Sequence, residues 1–346
     1  MTKSIEGTMK IDQHWSYRAE IPAVPEGTAR PFWSVMIPTY HCARFLRQTL
    51  ESVLSQDPGP DMMQIEVIDD RSTLDDPAAV VAEMGRGRVA FYRQLENVGH
   101  TRNFETCLKR ARGKVVHLLH GDDWVLDGFY RKLQHAFESH PQIGAAFCRQ
   151  IFVDDDGNQD AYSPLEQPES GILNGGLERL ALEQRIMTPS IVVRREAYER
   201  LGGFDSRLIC SEDWEMWVRI ASQYPIWYEI EPLAAYRMHS ASNTGRHVRN
   251  ADDIRYTRMA IEIFKSYLPE DKADQISKKA RETYAFSALD MAYSMFLKRD
   301  HSAMLAQGRE AIYLSRSPRV LRRIGSLLLQ AGRVGLQRAV KGEGRV

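Results

Sequence analysis

Between Ser34 and Val153 short apolar runs alternate with segments of helical period, and this restricts the fold more than any other feature of the chain. Ser34 to Ile37 reads as a strand, and Phe45, Leu46, Leu50, Val53 and Leu54 then recur at helical spacing. Ile65 to Ile68 is a second strand, Pro77 to Met84 a helix, and Arg88 to Tyr92 a third strand. Thr101 to Arg112 follows as a helix with Phe104 and Leu108 on one face. Val115 to Leu119, after the turn signal Gly113, is a fourth strand; Gly128 to His140 is a helix and Ile143 to Val153 is extended. Repeated βα units of this kind predict an α/β domain with a mostly parallel sheet and helices on both faces.

The flanks are different. Residues 1–31 read as an arm or loose lead-in, because Pro22, Pro25, Gly27 and Pro31 interrupt regular structure. After Asp154 the pattern becomes irregular, with Ile191 to Val193 as a short strand, Trp214, Trp217, Val218 and Ile220 at helical spacing, and short strands between Pro225 and Tyr236. From about Asp252 onwards the chain reads as wholly helical. The expected organisation is therefore an arm (1–31), an α/β domain over 32–250 in two halves (32–153 and 154–250), and a C-terminal all-helical region (251–346).

Formal net charge is zero, which gives no reason to expect a nucleic-acid partner. Cys42, Cys107, Cys148 and Cys210 are widely separated, a pattern that suggests reduced thiols in a cytoplasmic protein rather than a disulfide framework or a zinc site. Residues 1–30 are polar and do not read as a leader, and no apolar run reaches the roughly 18 residues of a membrane span. The last helix sets Leu321, Ile324, Leu327, Leu328 and Leu329 against Arg319, Arg322, Arg323 and Arg333. Such a helix suits peripheral contact with an anionic membrane face, and equally suits packing on the body of the protein; the helical region also leaves a homodimer open.

The chemistry concentrates where strands end. His120-Gly121-Asp122-Asp123 follows the fourth strand, and adjacent carboxylates repel unless a cation or donor shares them. That points to a divalent metal, Mn²⁺ or Mg²⁺, which would also hold a phosphate; the plainer alternative is a solvated turn that caps the next helix. The first strand ends in Pro38-Thr39-Tyr40, the second in Asp69-Asp70-Arg71-Ser72, and Asn97-Val98-Gly99 leads into Arg102-Asn103. In a doubly wound sheet these carboxyl ends face one crevice. Its groups suit a nucleotide, with Tyr40 shaping the base pocket, Asp70 accepting from a base N–H, Arg102 adding a guanidinium and Asp122 with a metal at the diphosphate.

In order and spacing these segments resemble the family 2 nucleotide-sugar glycosyltransferases of GT-A fold, a Rossmann-like sheet, over roughly residues 33–240. The resemblance implies that Pro38, Tyr40 and Asp70, with Thr39 between them in the motif, contact the nucleoside and that Asp122 ligates the metal. It departs at His120, where the family usually has Asp; His120 is left as a ribose contact or a spacer. Ser211-Glu212-Asp213-Trp214 is similar to the family's Glu-Asp base motif, which implies Asp213 as general base. Glu212 is then structural or a contact to donor sugar or acceptor. Trp214 is either a sugar platform or a core aromatic. Tyr236-Arg237-Met238-His239 resembles the closing Tyr-Arg-x-His, which implies His239 as a further metal ligand and Arg237 as a phosphate partner. His100, His117 and Asp154-Asp155-Asp156 receive no role.

The implied activity is inverting transfer of one sugar from a nucleotide-diphosphate sugar, UDP-linked by resemblance, to the hydroxyl of a glycan or lipid-linked acceptor in bacterial surface glycan assembly. The Gln-x-x-Arg-Trp signature of processive members is absent from its expected region, which favours single addition. Two alternatives remain: a non-catalytic binding protein on the same fold, and a nucleotidyltransferase, although the first βα turn lacks the Gly-rich basic loop usual there.

Overall fold

A computed structural model of the chain describes residues 14–238 and 247–340. β1 (Trp33–Thr39), β2 (Met63–Asp69), β3 (Ala90–Arg93) and β4 (Val115–Leu118) alternate with α1 (Ala43–Leu54), α2 (Pro77–Gly85) and α3 (His100–Arg110). Next come β5 (Trp124–Val125), α4 (Phe129–Ser139), β6 (Ala145–Val153), β7 (Gln159–Tyr162) and β8 (Gly171–Ile172). α5 (Gly176–Leu182), β9 (Ile191–Arg194), α6 (Arg195–Leu201), α7 (Glu212–Ala221) and β10 (Ile226–Arg237) complete the mixed part. α8 (Asp252–Phe264), α9 (Glu270–Leu297), α10 (His301–Leu314) and α11 (Pro318–Val340) follow.

The strands form one sheet in the order β3-β2-β1-β4-β9-β6-β10-β5, with β7 beside β6 and β8 beside β10. β1, β2, β3 and β4 pair in parallel, as do β6 and β10; β9 enters antiparallel between β4 and β6, so the main strands run one way. Every residue of β1 and β2 is buried, because helices cover both faces. Trp33, Val35 and Ile37 of β1 pack with Leu46 and Leu50 of α1 and Leu133 of α4, whereas Met36 packs on the other face with Phe104 and Leu108 of α3. Thr39 lies opposite Asp69, and Met36 opposite Leu118. This register brings the turns after β1, β2 and β4 to one edge.

One feature differs from the sequence reading, and two more are set by contacts far along the chain. The segment from Pro225 to Tyr236 is one long strand, β10, with a register shift around Pro232, instead of several short strands. The described part of the arm is pinned: Ile21 is buried, Arg18 bridges to Asp205 and donates to the Tyr267 hydroxyl (2.5 Å), and Arg195 donates to the Pro22 carbonyl. Prolines exclude helix there but leave side chains free to dock. The C-terminal helices share a core with the α/β part, since one apolar cluster runs from Met36 and Phe104 through Trp214 and Trp217 to Ala280, Ala288, Leu314 and Leu327. In α11, Val320 and Leu327 are buried, Arg319 and Arg323 pair with Glu282 and Asp290 of α9, and Leu321, Leu328 and Leu329 are exposed. Among the described residues no helix is long and apolar enough to cross a membrane.

Candidate active site

The His120–Asp123 turn is held from two sides. Leu119 and Gly121 N–H groups donate to the Met36 and Pro38 carbonyls, which extends the β1–β4 pairing past the strand end. From α1, the Thr49 hydroxyl reaches the carbonyls of Gly121 (3.1 Å) and Asp123 (2.7 Å). A Cβ at position 121 would stand 3.0 Å from both Cys42 Sγ and Thr39 Oγ1, so any side chain there would press on both. Non-glycine residues in the left-handed region gather at nearby loops: His41 (φ 53°), Arg71 (φ 64°) and Ser211 (φ 63°). Backbone strain of this kind concentrates at functional sites.

One donor atom from each of His120, Asp122 and Asp123 lies within 4.8 Å of the others. Asp123 accepts the Arg237 backbone N–H at 2.8 Å through Oδ1, while its Oδ2 is buried without a hydrogen-bond partner. Burial and the adjacent Asp122 charge hold the Asp123 carboxyl well above the usual range. Burial likewise pushes the His120 imidazole down, against the pull of Asp122 and Glu212. An orphaned buried carboxylate oxygen, Asp123 Oδ2, 3.6 Å from His120 Nδ1 and beside a second carboxylate is what a divalent cation would satisfy, so these residues fit one.

Opposite this turn stands the N-terminus of α7. Asp213 Oδ2 accepts from Gln184 Nε2 (2.9 Å) and Thr188 Oγ1 (3.4 Å), and Oδ1 from its neighbour's N–H, that of Trp214 (2.7 Å). Burial, with the charge of Glu212, pushes the Asp213 carboxyl up to about 7. His100 Nε2 lies 3.2 Å from Glu212 Oε1. A cavity of about 460 Å³ separates the two walls, with Asp122 and His120 on one side, Glu212 and Asp213 on another, and Thr257 and Tyr284 from α8 and α9 closing it. A carboxylate with a pKa near 7 across such a cavity from a cation site can take a proton from a hydroxyl held between them.

The remaining residues singled out in the sequence are distributed as follows. Asp70 is buried and accepts from the N–H groups of Val98 (2.8 Å) and Gly99 (3.0 Å) and from Asn97 Nδ2 (3.1 Å). Burial raises its pKa, with those N–H groups opposing. Pro38 and Thr39 are fastened through their carbonyls to Gly121 and Asp70. Tyr40 is 42% exposed and lies against the His41 ring. Arg102 is exposed on α3. Tyr40, Asp70 and Arg102 do not line the cavity that holds Asp122 and Asp213. His239 lies outside the described residues.

Of the two readings of Trp214, the geometry favours the core aromatic: it is 1% exposed, donates Nε1 to the Leu180 carbonyl (2.6 Å), and packs edge-on to Phe264 with Tyr284 at 5.1 Å. The helical period put it on a buried face. Arg237 lines the cavity, but four of its five guanidinium donors are engaged, by the carbonyls of Asp122 (3.0 Å), Asp154 (3.3 Å) and Asp155 (2.8 Å) and by Gln48 Oε1 (2.6 Å). It staples the His120–Asp123 turn to the Asp154–Gly157 turn. The sequence reading also missed His100, Gln184, Thr188 and Tyr284. His100 falls between the quoted Gly99 and Arg102; Gln184, Thr188 and Tyr284 carry no local signal, and packing alone brings them to Asp213.

The profile described as glycosyl transferase family 2 matches residues 34–202. An uncharacterized protein of Mycobacterium tuberculosis is 31% identical over 234 residues, covering 63% of this chain and 70% of that one. An uncharacterized glycosyltransferase of Methanocaldococcus jannaschii is 25% identical over 217 residues, covering 62% and 73%. Among solved structures, S. aureus TarS 1-349 in complex with UDP-GlcNAc superposes with a TM-score of 0.61 at 15% identity, covering 81% of this chain and 90% of that one. The mannosyltransferase PcManGT from Pyrobaculum calidifontis, in complex with GDP-Man and Mn²⁺, gives a TM-score of 0.53 at 18% identity, covering 93% and 91%. At these identities the two structures establish a shared fold.

Proposed function

This chain belongs to glycosyl transferase family 2, and on that premise we propose that it moves one sugar from a nucleoside diphosphate donor to a hydroxyl acceptor, with inversion, in one metal-dependent displacement. The observation that carries this reading is Asp213, a carboxyl with a pKa near 7 across one cavity from the Asp122 turn. In-line displacement needs a single base on the face opposite the leaving diphosphate, and Asp213 is that base. Gln184 and Thr188 orient its carboxylate, and Glu212, paired with His100, keeps the charge beside it that holds its pKa high.

Pro38, Thr39, Tyr40, Asp70 and Arg102 form the nucleoside side at the same sheet edge. Asp70 orders the 97–99 loop through three hydrogen bonds, and Tyr40 offers an exposed ring. Asp122 and His239 would hold the cation, Mn²⁺ or Mg²⁺, which when bound would supply Lewis-acid stabilisation of the diphosphate leaving group. UDP is the favoured nucleotide, in keeping with the fold shared with the UDP-GlcNAc complex, and the GDP-Man complex makes GDP the comparison. The acceptor enters on the side walled by α8 and α9 and is a glycan or lipid-linked glycan of a bacterial surface polymer. Exposed Leu321, Leu328 and Leu329 beside Arg322 support peripheral contact of α11 with an anionic membrane face.

The test is nucleotide release from UDP-, GDP- and dTDP-sugars with Mn²⁺ or Mg²⁺. One donor is expected to bind or hydrolyse slowly, and that interaction should vanish on chelation and in Asp122→Ala. Asp213→Ala should still bind that donor without transferring. Folded protein that engages none of these donors with metal would overturn the reading in favour of a binding protein.

A further inference from the structure

We propose that His120 is itself a metal ligand and that its imidazole makes this site prefer Mn²⁺ to Mg²⁺. The inference rests on the donor-site reading above and goes beyond it in assigning the cation's selectivity to one residue of this chain. The imidazole stands where the resembling family usually carries a carboxylate, at the head of the Gly121-Asp122-Asp123 turn.

The contrast with His117, three residues earlier, separates a structural histidine from this one. His117 is fully buried and both its nitrogens are satisfied, by the Tyr130 hydroxyl (3.1 Å) and the Pro189 carbonyl (3.0 Å). His120 Nε2 is equally shut off from water but has no hydrogen-bond partner. Its Nδ1 lies 3.6 Å from Asp123 Oδ2, an atom that is also buried and unpartnered on a side chain only 1% exposed. At 3.6 Å these atoms are too far apart for a hydrogen bond. They are spaced as two ligands of one cation are, since bonds of about 2.1 Å at open angles put neighbouring donors roughly 3–4 Å apart. Phe104 stacks on the imidazole at 5.1 Å and 15°, which fixes the ring plane, and Thr49 fixes the backbone of the turn. The ring and the Asp123 carboxylate are therefore held beside each other without forming a hydrogen bond.

The selectivity follows from the donor set. Mg²⁺ is hard, favours oxygen ligands and gives up water reluctantly. Mn²⁺ also accepts oxygen but takes an imidazole nitrogen more readily, as first-row metals do. Exchanging a carboxylate for a neutral nitrogen lowers the negative charge of the site and removes a hard ligand. Both changes weaken Mg²⁺ more than Mn²⁺, while Asp122 and Asp123 remain to balance the ion's charge.

The experiment uses the full chain with Mn²⁺ and either UDP or GDP, read by pulsed electron paramagnetic resonance of the bound ion. His239→Ala removes the other candidate nitrogen ligand. In that variant a ¹⁴N coupling should persist, and ¹⁵N-histidine labelling should change it; this needs no substitution at position 120. In His120→Asp/His239→Ala the coupling should disappear while Mn²⁺ stays bound. Displacement of Mn²⁺ by Mg²⁺ should become easier in His120→Asp by about tenfold. Bound Mn²⁺ with no histidine coupling in His239→Ala, or an unchanged Mn²⁺/Mg²⁺ ratio in His120→Asp, would overturn the inference and leave the donor site standing. Folded protein that binds no Mn²⁺ with either nucleotide would overturn both.

Discussion

His100 and Glu212 pair across the gap between α3 and α7, with Nε2 3.2 Å from Oε1, and so tie the first turns of two helices that flank the cavity. Burial opposes charge on each, yet the pairing prevails: His100 is raised and Glu212 lowered. Glu212 therefore stays ionised beside Asp213, and its charge adds to burial in bringing Asp213 to about 7. Glu212→Gln removes that repulsion. The acidic limb of the kcat/KM profile, which reports Asp213 as base, should move to lower pH by about one unit. A limb that stays in place or moves up would show that Glu212 does not set the base.

Asp213 also couples stability to pH. Its native pKa lies above that of an unfolded aspartate, so the folded state binds this proton more tightly. The resulting stabilisation is complete below about pH 4 and is lost as pH rises through about 7. Asn at this position has no proton to lose. The stability of Asp213→Asn relative to the parent should therefore improve by about 1–2 kcal/mol between pH 4 and pH 8, discounted for partial solvent access. Urea unfolding at the two pH values measures this, and a difference independent of pH would refute it.

Thr49 lies on α1, away from the cavity, yet one hydroxyl serves two carbonyls of the His120–Asp123 turn. Thr49→Val keeps the shape and removes the donor. A loss of about 1–2 kcal/mol in stability is expected, together with weaker Mn²⁺ binding in the presence of nucleotide. Serine, which restores the hydroxyl, should recover most of the affinity. Metal affinity unchanged in Thr49→Val would show that the turn holds its shape unaided.

Trp214 separates a core role from a sugar platform. Trp214→Phe loses the bond to the Leu180 carbonyl and some packing against Phe264 and Tyr284, at a cost of about 1–3 kcal/mol. Substrate KM values should change by less than about twofold, because the ring does not line the cavity. A large KM effect with unchanged melting temperature would favour the sugar platform instead.

Much of the fold was legible locally. Strand and helix periods placed β1 to β4 and α1 to α4 within a few residues, because a segment covered on both faces is mostly apolar, Gln64 and Glu66 of β2 apart, and an amphipathic helix must repeat its apolar face. β5 escaped notice because two residues, Trp124 and Val125, carry no period. The continuity of β10 escaped because Pro232 reads as a break, whereas the strand absorbs it as a register shift. The docking of Ile21 and Arg18 onto the body depends on partners far along the chain, and proline punctuation says nothing of those.

The sequence by itself determined that consecutive βα units would bring Tyr40, Asp70 and Asp122 to one edge of a parallel sheet, and that a Glu-Asp pair would open a later helix. Those are consequences of local periodicity and of the single sense in which such units wind. Tertiary structure alone decided what each side chain does there. It spent the Arg237 guanidinium on backbone carbonyls, buried Trp214, and set Tyr284 of α9 beside Gln184 and Asp213. It also left His120 Nε2 and Asp123 Oδ2 without partners. The physical reason is that hydrogen bonding and desolvation depend on which groups come within about 3 Å in space, and residue type and spacing do not encode that distance.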